Sequence, residues 1–155
     1  NLCNKGVYVF VINDFQLSAS LDAKNNKQGN PLQEDLVNYV CISSSEPGQR
    51  TYEGKQWGGG HGLFTYYLVS GLYGLADAPD EYGFRDGYVS YNELLHFVSD
   101  QVETASWSAI TKDAQTPVFS GRHLKLDLSR VNYLQRKKLL GLNAVEPPGL
   151  FLFTR

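Results

Sequence analysis

Residues 38–77 read NYVCISSSEPGQRTYEGKQWGGGHGLFTYYLVSGLYGLAD, a strand, a polar loop and a helix in immediate succession. No other stretch restricts the fold as much. Residues 38–43 are apolar and β-branched, as in a central strand, and they stop at Ser44, Ser45, Glu46, Pro47, Gly48 and Gln49. That order puts polar groups at a strand's carboxyl edge, where open α/β sheets keep their ligand chemistry. Gly58, Gly59 and Gly60 then lead to His61 and an apolar helix over residues 63–75. Phe64, Tyr67, Leu68 and Leu72 stand at helical spacing, and Gly71 and Gly74 end the pattern.

The same reading extends along the chain. Residues 6–12, GVYVFVI, have the continuous apolar pattern of a strand buried on both faces of a parallel sheet, and they end at Asn13 and Asp14. Residues 22–31 are polar and turn-rich, which predicts an exposed loop, and residues 32–37 predict a short helix. Ser90 and Glu93 form an S-x-x-E capping box ahead of Leu94, Leu95, Phe97, Val98 and Val102, the stripe of a second amphipathic helix. Residues 116–120, TPVFS, predict a third strand. The expected fold is α/β, an open, mainly parallel sheet flanked by helices. Past Gly121, the basic run Arg136, Lys137 and Lys138 lies among leucines and leads to EPPGLFLFTR at residues 146–155, which has the character of an extension.

A chain of 155 residues suits one domain, and a hydrophobic fraction of 42% supports a packed core over disorder. A net charge of −2 gives no electrostatic reason to expect nucleic acid or a membrane surface as partner. No apolar run approaches the ~18 residues of a membrane span, and no charged region with an apolar secretory core opens the sequence. The absence of methionine predicts a piece of a longer chain. Two cysteines, Cys3 and Cys41, are too few for a disulfide scaffold, so the expected location is intracellular, in the cytoplasm.

The ordered series S-S-x-P-G-Q-R-T-Y-E-G, G-H-G-L-F-T-Y-Y-L and G-L-x-G-x-A-D, followed by D-G-Y-V-S-Y-N-E-L and Q-T-P-V-F-S-G, resembles the C-terminal half of caspase-like cysteine peptidase domains, the caspase and metacaspase family in its bacterial forms. The resemblance covers roughly residues 7–121. It implies a caspase-like sheet, with residues 1–121 the C-terminal part of the domain and residues 122–155 a C-terminal extension of it.

Such a peptidase needs a cysteine thiolate as nucleophile and a histidine as its proton acceptor. The family's cysteine follows a buried strand in a context like D-A-C-H-S-G, with the histidine, in caspases, ~50 residues upstream. Aligning D-F-Q-L-S-A of this chain keeps Asp14 and Ser18 and puts Gln16 at the nucleophile position. Sliding by one residue offers Phe15 or Leu17. No register supplies a thiol, so no catalytic residue is assigned. Cys41 lies between Val40 and Ile42 inside a strand, where an apolar setting raises a thiol pKa and blocks access. Cys3 is an incidental thiol near Lys5. His61 and Gly62 form the family's helix-opening G-H-G, a structural role favoured over general base; His96 and His123 read as surface or packing residues.

The family's Arg- and Lys-directed members pair the basic side chain with carboxylates near the cysteine and on the next strand-end loop. Asp14 and Glu46 are the candidates here, with Ser44, Ser45 and Gln49 as substrate-binding loop residues. Gln49 equally suits a loop brace. No cofactor or metal is expected. Placing Asp86 and Glu93 in a calcium loop puts Tyr82 and Phe84 at the first and third ligand positions, and the cysteines and histidines lack zinc spacing. Asp86-Gly87 then reads as a turn. Gly58 to Gly60 have no Lys-Ser/Thr behind them, so no phosphate loop follows.

Three functions remain open. The chain is a caspase-like domain without its nucleophile, acting as a regulatory or substrate-holding partner of a peptide or protein; or it is a portion of an active Arg/Lys-directed endopeptidase whose His and Cys lie in another chain or in missing sequence; or it is a generic α/β binding module.

Overall fold

Val40, Cys41 and Ile42 are almost wholly buried, as their unbroken apolar run requires, and they form the middle of the sheet. In the computed structural model, which describes residues 9–14, 39–108, 113–121 and 126–141, the three-stranded sheet runs β1 (Val9–Asn13), β2 (Tyr39–Ser43), β6 (Val118–Gly121). Strands β1 and β2 are parallel, with Val11 opposite Cys41 and Asn13 opposite Ser43. Strand β6 runs antiparallel on the other side, with Phe119 opposite Ile42.

The three expected strands therefore share one sheet, and the α/β class holds. Two expectations change. The described sheet is mixed, one parallel and one antiparallel pairing, because an apolar run reports burial and carries no sign of strand direction. Strand β1 is not buried on both faces: Ile12 is 50% exposed, since among the described strands β1 has only β2 beside it. The helix expected over residues 32–37 and the loop over 22–31 lie outside the described residues.

The described residues also form two short antiparallel ladders. The first joins β3 (Glu53–Gly54) to β4 (His61–Gly62) around buried Trp57. Its turn needs φ of +63°, +96° and +131° at Gly58, Gly59 and Gly60, which three consecutive L side chains would not adopt, so the glycine run is a backbone requirement. The Trp57 carbonyl accepts from the His61 N–H at 3.0 Å and closes the turn. The second ladder pairs β5 (Tyr88–Ser90) with β7 (Asp127–Arg130).

Helix α1 (Leu63–Ser70) buries Leu63, Phe64 and Leu68 in the core shared with Val40 and Ile42. The sequence expects helix to residue 75; α-helical structure ends at Ser70 and a π-helical turn, Gly71–Leu75, follows, with Gly74 at φ +113°. Gly71 permits close contact with α2 (Tyr91–Ser108), since a Cβ there would lie 2.7 Å from Leu94 Cδ1, and the Tyr67 and Phe97 rings meet edge to face at 6.3 Å. The capping box forms as expected: the Glu93 carboxylate accepts from the Ser90 N–H at 2.8 Å and from its hydroxyl at 2.7 Å. Asp86 accepts from the Tyr88 N–H at 2.8 Å with Gly87 at φ +82°, a side-chain-capped turn. Helix α3 (Tyr133–Leu139) starts where the Asn132 side chain accepts from the Gln135 N–H at 3.1 Å.

Candidate functional site

Parallel β1 and β2 end side by side, tied where the Ser44 N–H donates to the Asn13 carbonyl at 2.9 Å. The next residue out of β1, Asp14, is exposed. Its carboxylate is not left to rotate, because the hydroxyl of Thr65, in the first turn of α1, donates to Asp14 Oδ2. Gly62 makes room for it: a Cβ at that position would stand 3.2 Å from Oδ2. Strand β4 and the start of α1 thus present an oriented carboxylate at the strand ends, with His61 exposed one residue away from Gly62.

The loop after β2 is built from within. Ser44 and Ser45 are wholly buried, so the structure places neither hydroxyl on an open wall. Ser45 Oγ has no hydrogen-bond partner among the described residues. Glu46 is exposed. Gln49 engages both ends of its amide: the oxygen accepts from the Thr116 N–H at 2.7 Å and the Glu46 N–H at 3.2 Å, and the nitrogen donates to Thr116 Oγ1 at 3.2 Å. That is the brace geometry. A polar hollow of about 360 Å³ lies against the loop, lined by Gly48, Gln49, Arg50, Asp113 and Ala114. The five candidate residues therefore fall into two groups, Asp14 held by α1 and the Ser44, Ser45, Glu46, Gln49 loop held by the segment before β6.

Gln115 does most of that holding, and sequence reasoning missed it. Buried to 1% exposure, it donates from Nε2 to the Ser44 carbonyl at 2.8 Å and accepts at Oε1 from the Tyr52 N–H at 3.0 Å. Its own N–H donates to Ser106 Oγ at 2.9 Å. One signal was available: a neutral amide opening the Q-T-P-V-F-S-G series, shortly ahead of the half-buried strand β6. Thr65 was missed too, being one polar residue in a helix read for its apolar stripe.

Cys41 is wholly buried at mid-strand and its sulfur accepts from the Asn13 side-chain amide at 3.5 Å, a packed thiol out of reach of a peptide. Gln16, Cys3 and His123 lie outside the described residues. Asp77, beside the π turn, is 1% exposed; burial pushes its carboxyl above the ordinary value, while Arg136 and Arg85 pull the other way. Arg136 Nη1 stands 3.4 Å from Asp77 Oδ2. Among the described residues no group of three His, Cys, Asp or Glu side chains could hold a metal ion, and no helix is long and apolar enough to cross a membrane.

No family model, no curated protein and no solved structure matches the chain.

Proposed function

We propose that the chain is part of a caspase-like domain without its nucleophile and that it holds peptides through a basic side chain rather than cutting them. One observation carries this: an exposed Asp14 carboxylate, oriented by Thr65, at the carboxyl end of β1 in a sheet whose only described thiol is sealed inside it. An oriented acceptor loses little freedom when it binds, and a guanidinium or ammonium is the partner such a carboxylate selects. While the pair stays wet it contributes little, about 0–1 kcal/mol. A bound peptide that excludes water would bring it toward the roughly 1.5–3 kcal/mol of a charge-assisted hydrogen bond. Glu46, exposed on the neighbouring loop, adds to the negative potential. Acting this way, the chain is a regulatory or substrate-holding partner in a proteolytic system.

The test is an Arg-terminated fluorogenic peptide incubated with the full chain. The expected outcome is saturable binding without turnover, weakened at least five-fold by Asp14→Asn. Turnover that disappears in Cys41→Ala would overturn the proposal.

A further inference from the structure

The loop of residues 78–87, which leads from the π turn to β5, is braced so that its aromatic side chains face water. Asp80 Oδ1 accepts from the Tyr82 N–H at 2.9 Å and the Phe84 N–H at 2.8 Å, and the Asp80 N–H donates to the Phe84 carbonyl at 2.7 Å. Glu93 Oε1 fixes the near end by accepting from the Ala78 N–H at 2.9 Å, and Asp86 fixes the far end at Tyr88. Tyr82 and Phe84 stand 76% and 72% exposed on this frame. Rings displayed by a fixed backbone lose little freedom when a partner covers them. Helix α3 carries a second exposed apolar set, Tyr133 and Leu134, the latter 67% exposed. The two sets are neighbours: a Cβ on Gly87 would stand 3.3 Å from the Tyr133 hydroxyl, the Gly87 carbonyl accepts from the Val131 N–H at 2.9 Å, and Arg136 reaches back to Asp77.

The two sets are also opposite in charge. Residues 80–86 hold Asp80, Glu81 and Asp86 against Arg85 alone, whereas α3 carries Arg136, Lys137 and Lys138 and no acid. We propose that this patch is self-complementary and that two copies of the chain pair through it about a two-fold axis, the 78–87 loop of each lying on α3 of the other. A patch with both halves side by side makes each contact twice and closes at two copies. Leu134 and Lys138 are four residues apart in α3 and share one of its faces. Leu134 of one copy packs on Tyr82 and Phe84 of the other. Lys138 enters the hollow of about 440 Å³ at the foot of the loop, whose lining includes Pro79, Asp80, Phe84, Arg85, Asp86 and Glu93, three carboxylates to one cation beside an aromatic ring. Complementary charge of this kind fixes the register of two surfaces, while the rings and Leu134 supply the apolar area. The pairing uses no residue of the Asp14 site and stands apart from that reading.

Sedimentation of the full chain tests this. A monomer–dimer equilibrium is expected at about 100 µM, as for a small interface, and raising salt from about 50 mM to about 500 mM is expected to weaken it several-fold. Phe84→Ser and Leu134→Ser, both at exposed positions, are each expected to weaken the dimer about ten-fold while the thermal midpoint stays unchanged. Glu81→Lys and Lys138→Glu are each expected to weaken it about five-fold alone, and an equimolar mixture of these two variants is expected to recover it, since each reversed charge then meets its opposite across the axis. A chain that stays monomeric up to its solubility limit would overturn the proposal. So would a dimer indifferent to Phe84→Ser and Leu134→Ser, open-ended growth into larger species, or a mixture of the two charge variants no stronger than either alone.

Discussion

At the scale of single residues the strand-end loop depends on one buried amide. Gln115 satisfies the Ser44 carbonyl and the Tyr52 N–H at once. Gln115→Leu keeps the volume and removes both of these hydrogen bonds, which is expected to cost about 1–3 kcal/mol, read as a lower urea midpoint at unchanged slope. Ser45 is the converse case. Its buried hydroxyl lacks a partner among the described residues, so Ser45→Ala is expected to leave stability unchanged or to raise it by up to about 1 kcal/mol. A loss of peptide binding at undiminished stability would instead give Ser45 a role in the site. Both substitutions fall in motifs the sequence shows plainly. Yet the sequence assigns the serines to a substrate wall and says nothing of Gln115, because residue type records polarity and not which way a side chain faces.

The elements were the most legible part, and the reason is periodicity. The capping box of α2 and the apolar runs of β2 and β6 are local signals, so they survive the passage from sequence to structure. Strand direction and the end of α1 are not local. The π turn is set by tertiary contact: a Cβ on Gly74 would lie 2.5 Å from Val131 Cγ1, at φ +113°. Gly74→Ala is therefore expected to destabilise by about 2–4 kcal/mol, combining left-handed strain with overpacking, measured by thermal unfolding. The tie between this turn and α3, Asp77 to Arg136, gives a pH dependence. Burial holds the Asp77 carboxyl above its ordinary 3.8, so the folded chain keeps the proton to higher pH than the unfolded chain does. Its contribution is full below 3.8 and is lost as pH rises through the raised folded value. Asp77→Asn is accordingly expected to flatten that part of the profile and to be more stable than wild type at about pH 7, by urea titration across the acid range. A variant less stable at neutral pH would show the Arg136 pairing to outweigh desolvation.

For the molecule as a whole, the sequence conveyed an α/β sheet with polar strand ends, and the structure adds which polar groups are open there. Asp14 is; Ser44 and Ser45 are not. The proposed function takes the motif to put Gln16 at the nucleophile position, and Cys41 is buried, so under that proposal binding without turnover is the expected behaviour. Calorimetry on a two-by-two set tests this most directly: an Arg-containing peptide and its norleucine analogue, each titrated into wild type and Asp14→Asn. Replacement of Arg by norleucine is expected to weaken binding to wild type about ten-fold, roughly 1.4 kcal/mol, and binding to Asp14→Asn less than about two-fold. The same ratio in both proteins would contradict it.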